Sequence, residues 1–505
     1  MKKIKYLFIA VFSLMIVASC SNFEELNTNP DVPNSVAPEM LATQVLKDSY
    51  RFWNPNSSDY SFANLFNKHT VIFETNPNPY QYYFSYSPYG SFPYGSLTEL
   101  KRMVEFSKGG AYESSFKGLA LFLKASALFD ATIELGDIPY SEAGMAEEGI
   151  TKPKYDKQAD VIVSILNDLK EAEAYFAAGV NFNGDIMYGG NVTKWRKLCN
   201  AYQLKVLQTI SKKITPEQKA RFAAIVSAGN LMTSSADNYQ LAYSTNTNAS
   251  YPYFNGEATR LKHGLSKLVV DALKTNNDRR LFYFAEPAPA LITGGATASQ
   301  FVAYEGAPTQ LAALPMTLNY QAGKYSLLNK RYPLYRDNDP FIKFPYAEQC
   351  FIIAEAIEEG WVAGNSQTYY ENGVKASLEY YKNLPNTSSH VHGMAITQAY
   401  IDGYFVGAAA YAGTKVDRLR QIWTQRWLID FMQARSYYPQ FLRVGYPVYP
   451  LDPLTSMNPD DPTLYPQRWK YPTSELTTNG VNYLKAVDEQ YGGYDGINLK
   501  PWYLK

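Results

Sequence analysis

Between residues 114 and 135 the apolar side chains Phe116, Leu119, Phe122, Leu123, Ala127 and Ile133 recur on one side of a helix, and Gly136 follows as a stop. The periodicity returns at 160–178 through Ile162, Ile165, Leu166, Leu169 and Ala172. It predicts further helices over 192–212, 264–274, 346–359, 369–382 and 415–434, the last carrying Val416, Leu419, Trp423 and Trp427. Each such stripe has to be buried against another element. Paired helices separated by loops point to a mainly α fold, tetratricopeptide-like pairs forming a superhelical scaffold, although no fixed-length repeat is legible. The loops have neither the charge nor the low complexity of linkers, so 36–505 reads as a single helical domain.

One loop differs from the rest. Residues 76–95, NPNPYQYYFSYSPYGSFPYG, hold six tyrosines and two phenylalanines and no charge. Pro77, Pro79, Pro88 and Pro93 forbid a helix there. The rings therefore lie in a loop, where they fold back onto the body, touch a partner, or face a ligand. Tyrosine offers a flat apolar face and a hydroxyl, the two features that recognition of a pyranose ring requires. Tyr80, Tyr82, Tyr83, Tyr86, Tyr89 and Tyr94 are accordingly candidate ligand contacts. Trp53 (in RFWNPN) and Tyr253 with Arg260 (after SYPYFNGE) are candidates of the same kind; Arg260 would either fork onto sugar hydroxyls or pair with Glu257.

The amino terminus reads as an export signal over 1–19. Lys2, Lys3 and Lys5 precede an apolar run from Tyr6 to Ala18 that is too short to span a bilayer. Val17, Ala18 and Ser19 then lead to Cys20 in the pattern of a lipobox, which makes Cys20 the expected site of lipid attachment. Acyl chains anchor firmly, at about 0.8 kcal/mol per buried methylene. Residues 20–35, rich in Asn and Pro, read as a tether behind that lipid. Membrane contact would be through the anchor alone.

Several function classes fit poorly. The 47 basic and 47 acidic residues balance, against the basic bias of a nucleic-acid surface. The chain has no G-x-S-x-G elbow, no H-E-x-x-H, no phosphate loop and no dinucleotide fingerprint. His390 and His392 lie in a loop without the cluster that a metal needs, and Asp337-Asn338-Asp339 reads as a solvated turn, so no metal or cofactor is expected. Cys199 and Cys350 sit in apolar helical stretches and read as buried thiols, with a disulfide between them left open.

A series of blocks carries a family resemblance: ELGDIPYSEA (134–143), DIMYGGNVTKWRKLCNAYQLKVLQTIS (185–211), ADNYQLAYS (236–244), NDRRLFYFAEP (277–287), PFIKFPYAEQCFIIAEAIEEGW (340–361), QRWLIDFMQARSYYPQFLRVGYPVYP (425–450) and QRWKYPTSELTTNGVNYLKAV (467–487). In this order, with the lipobox and ELNTNP (25–30), they resemble the SusD/RagB family of Bacteroidetes surface lipoproteins, in its SusD-like branch. Glu24 and Glu25 resemble the acidic export tag of such lipoproteins, which places the chain on the outer face of the outer membrane. The resemblance implies a non-catalytic protein that captures oligosaccharides, or in some members peptides, and a SusC-like TonB-dependent transporter as partner. It transfers no ligand residue by position. The shared blocks read as structural: Gly136 ends a helix, Pro139 turns the chain, Asp137 and Ser141 bond backbone in that turn, and Glu355 and Glu358 form a solvated or helix-pairing face. A secreted hydrolase with its carboxylates among ordinary acids is the remaining rival.

Overall fold

The computed structural model of the protein describes residues 36–50, 63–83, 89–385, 387–433 and 435–505. Cys20, Trp53 and Tyr86 lie outside the described residues, as do the signal and tether.

Helices carry the architecture. Helix α1 (Pro38–Tyr50) packs on α2 (Tyr94–Phe106) and on α3 (Glu113–Leu135). Next, α3 lies along α4 (Gln158–Ala178), α4 along α5 (Val192–Thr209), and α5 against α6 (Pro216–Ala228). Neighbours in sequence are neighbours in space, the arrangement of a tetratricopeptide-like stack. A second group follows in α7 (Tyr346–Glu358), α8 (Ser366–Lys382) and α9 (Lys415–Leu428), with α7 against both others and also against α5. The short α10 (Tyr438–Val444) and α11 (Gly480–Tyr491) complete the set used below.

Local chemistry fixes where these helices begin. The Asn191 side chain accepts from Lys194 N at 3.1 Å and starts α5. Capping boxes formed by Thr215 with Gln218 and by Thr414 with Asp417 start α6 and α9. Glycines permit two close approaches. Gly136 ends α3 at φ 106°, and a Cβ there would lie 2.3 Å from the Tyr491 hydroxyl. Gly373 within α8 lets the Phe351 ring of α7 approach, since a Cβ would meet it at 2.6 Å.

The helix predicted over 264–274 begins later, at Lys267. Gly264 and Leu265 pair as strand instead, and the Ser266 side chain caps the helix by accepting from Val269 N. Two small antiparallel sheets clip the loops. Strand β1 (Thr70–Ile72) pairs with β3 (His263–Leu265), Thr70 opposite Leu265. Strand β2 (Tyr239–Leu241) pairs with β4 (Phe341–Phe344), with a register shift between Tyr239 and Gln240.

Two large apolar cores result. One is built from α1 to α5 with Tyr471, Tyr491 and Tyr503; the other from 265–285 and from α7 to α10. Helix α7 belongs to both, giving Ile352 and Ile353 to the first and Phe351 and Ala354 to the second. A helix packed on both sides is buried all round, and residues 347–356 are all buried. Its acids pair helices. Glu355 meets Arg443 of α10 at 2.6 and 3.0 Å, and Glu358 meets Arg418 of α9 at 2.8 Å. Cys199 and Cys350 are free buried thiols.

Candidate functional site

The aromatic loop that the sequence singles out is mostly folded inward. Tyr82 is buried and its hydroxyl donates to Leu311 O at 2.6 Å. Tyr83 is buried against Tyr465, ring centres 5.4 Å apart, and donates to Pro450 O at 3.0 Å. These two rings have no face left for a sugar, because the second core and the 308–311 and 449–465 loops consume them. Tyr94 stacks on Phe92 at 5.0 Å with its hydroxyl on Pro139 O. Tyr80 is half-buried at a turn that Asn78 caps, accepting from Tyr80 N at 3.0 Å.

The other candidates are corrected in the same way. Tyr253 is fully buried. Arg260 is buried and forks onto Glu257 at 2.6 and 2.7 Å, with Nη1 on Leu328 O, so its pairing alternative holds. Asp337-Asn338-Asp339 is not a solvated turn: Asn338 and Asp339 are buried and hold the Arg331 guanidinium. His390 bonds Tyr335 at 3.1 Å and His392 faces Glu286 at 3.5 Å. Among the described residues no group of three metal-ligating side chains forms. Asp137 and Ser141 reach beyond their own turn, Asp137 accepting from Gln158 N at 2.8 Å and Ser141 bonding Asp156 at 3.0 Å.

Tyr89 leads elsewhere. Its backbone N–H donates to Lys470 O at 2.8 Å, which sets this part of the aromatic loop beside Trp469. There a small cleft opens between the C-terminal turn of α3, the start of α10 and the 466–469 segment. Its aromatic wall is Phe66, Tyr438, Trp469 and Tyr503. Phe66 lies 4.1 Å from Tyr438 and 5.6 Å from Trp469, centre to centre. Trp469 is half-buried, and its N–H donates to Glu134 O at 2.9 Å, tying the 466–469 segment to α3. The Tyr438 hydroxyl donates to Pro466 O at 2.9 Å.

Two charged residues line this wall. Arg468 is buried beneath it, stacked over Tyr491 at 4.2 Å, with Nε on Leu135 O and Nη1 on Asp495 at 2.6 Å. Its Nη2 is left without a partner. Glu134 keeps part of its surface open to the pocket while protein surrounds the rest. Burial, and then the Asp130 carboxylate one turn earlier, push its ionisation up to about 8. Asp130 is also raised, chiefly by burial, with Lys343 and Lys205 opposing. Glu134 and Asp130 in turn reinforce the upward shift that burial gives the Tyr89 phenol.

Aromatic faces beside a carboxyl can stack a sugar ring and bind its hydroxyls. Sequence reading missed Phe66, Glu134, Tyr438, Arg468 and Trp469. A signal was present: three of the shared blocks, at 134–143, 425–450 and 467–487, converge on this pocket.

A family model described as starch-binding and associating with the outer membrane matches residues 30–472. The chain belongs to the SusD-like family. Among solved structures, a SusD homologue of Bacteroides fragilis is 35% identical, with TM-score 0.88, covering 93% of this chain and 100% of its own. A proposed outer-membrane, nutrient-binding protein of Bacteroides vulgatus is 31% identical, with TM-score 0.82 and coverage of 93% and 100%. A chitin-binding SusD homologue of Flavobacterium johnsoniae, 19% identical with TM-score 0.68 and coverage of 93% and 97%, shares the fold. No curated protein matches. The SusD-like scaffold thus agrees with the mainly α, tetratricopeptide-like expectation.

Proposed function

We propose that the protein captures an oligosaccharide at the pocket walled by Phe66, Tyr438 and Trp469 and passes it to a SusC-like TonB-dependent transporter. The observation that carries this reading is the aromatic wall set against Glu134 at the meeting point of three segments. A stacked sugar buries apolar area worth on the order of 1 kcal/mol per ring, and the carboxyl orients hydroxyls. The description of the matched family, starch-binding and associating with the outer membrane, supports both the ligand class and the location. The lipobox at Cys20 supports attachment to that membrane, and Glu24 and Glu25 support its facing outward.

Capture is favoured over hydrolysis. Asp130 and Glu134 stand one turn apart on α3, whereas a glycosidase sets its two carboxyls on either side of the scissile bond.

Native electrophoresis through gels containing plant, fungal and host polysaccharides tests the proposal. Retardation by one polysaccharide, lost in Trp469→Ala and kept in Tyr82→Phe, is the expected result. Retardation indifferent to Trp469→Ala would move the site. Binding of peptides alone would replace the ligand class, and release of reducing ends would restore the hydrolase.

A further inference from the structure

The pocket holds an acid that nothing in the protein balances. Arg468 is paired with Asp495 at 2.6 Å, so those two charges cancel. Lys343 and Lys205 act on Asp130, not on Glu134. Glu134 has no ion pair and no side-chain hydrogen bond among the described residues, although it lines a cleft with four aromatic residues. With no cation beside it the carboxyl keeps its proton at neutral pH, and a cation brought into the pocket favours the ionised form.

We infer that the sugar residue held in this pocket carries a free amine. The inference rests on the glycan reading above and narrows it. A primary ammonium is a compact cation with three N–H donors, and Glu134 presents two acceptor oxygens without competitors. The faces of Phe66, Tyr438 and Trp469 attract the same cation through their ring quadrupoles. A neutral hydroxyl in that position exchanges one hydrogen bond with the protonated carboxyl and does nothing to favour its ionised form. An N-acetylated amine carries no charge and keeps a single N–H.

Calorimetry on the full chain extracted in detergent tests this with matched probes. Chitosan oligosaccharides are compared with cello-oligosaccharides and fully N-acetylated chitin oligosaccharides, and polygalactosamine with galactan. The amine-bearing member of a pair is expected to bind on the order of ten- to a hundredfold more tightly, as a hydrogen-bonded charge pair provides. Glu134→Gln should abolish that preference. Trp469→Ala should weaken both members together. Equal binding of both members by the wild type, or a preference that survives Glu134→Gln, overturns the inference. In those cases binding lost in Trp469→Ala would leave the glycan reading standing. Failure of every saccharide to bind overturns both.

Discussion

The Lys68 ammonium nitrogen sits 3.8 Å from the centre of the Tyr83 ring, and both residues hold a left-handed backbone, φ 58° and 59°. Lys68 is fully buried without a carboxylate partner, its nitrogen donating to Gln81 O. Side chains other than glycine pay about 1 kcal/mol or more for that backbone region. The contact thus ties the inward end of the aromatic loop to the start of β1 at two strained residues, and the strain is held by the second core. It explains why Tyr83 serves the fold.

Burial holds the Lys68 ammonium well below its ordinary 10.5. In the unfolded chain the lysine binds a proton up to 10.5, whereas the folded chain releases it sooner, so stability rises with pH across that window and is lost as pH falls. Lys68→Met keeps the volume and removes the proton. Urea unfolding between neutral pH and pH about 10 should show a shallower rise in the variant than in the wild type. Parallel slopes would mean that the lysine is charged in the folded protein.

Glu355 and Arg443 form a two-pronged buried pair between α7 and α10, at 2.6 and 3.0 Å. Removing one partner strands the other charge, which costs roughly 3–5 kcal/mol. Arg443→Met and Glu355→Leu alone should each lower the unfolding midpoint strongly. The double variant should recover most of the loss, because an apolar pair of similar volume suits this core. A double variant as unstable as the sum of the singles would show the pair contributing through hydrogen bonds beyond itself.

The hydroxyl of Tyr82 reaches Leu311 O inside the protein, so Tyr82→Phe should cost about 1 kcal/mol of stability. Glycan retention should not change. Loss of retention with unchanged stability would put Tyr82 back in contact with ligand.

Helix periodicity was legible because it is local. The stripes at Phe116–Ile133 and Ile162–Ala172 predict α3 and α4 closely. Boundaries slipped where a distant segment competes, as at Gly264, which pairs with Val71 across the chain. The same limit governs the site. Glu134 and Trp469 are 335 positions apart yet joined by one hydrogen bond, and composition cannot announce such a meeting. The tyrosine density at 76–95 runs close to the pocket at Tyr89, while Tyr83, Phe92 and Tyr94 went to packing, because a proline-rich loop with many aromatics must bury most of them. Arg260 looked available for the same reason: sequence shows a donor beside aromatics and hides the Glu257 that occupies it.

Glu134 makes the pocket visible in stability as well as in binding. Its ionisation lies at about 8 when folded against an ordinary 4.5, so the folded chain keeps a proton that the unfolded chain has lost between those values. Stability therefore falls as pH rises from 4.5 toward 8, the reverse of the Lys68 effect. Part of the carboxyl faces solvent, which limits the penalty to about 1–2 kcal/mol. Glu134→Gln removes the titration, and its unfolding midpoint should match the wild type near pH 4.5 and exceed it by pH 8. An amine-bearing sugar should close that gap in the wild type by pairing with the ionised carboxylate and have no such effect on the variant. A wild-type curve that runs parallel to the variant across the window would mean that Glu134 already has a counter-charge.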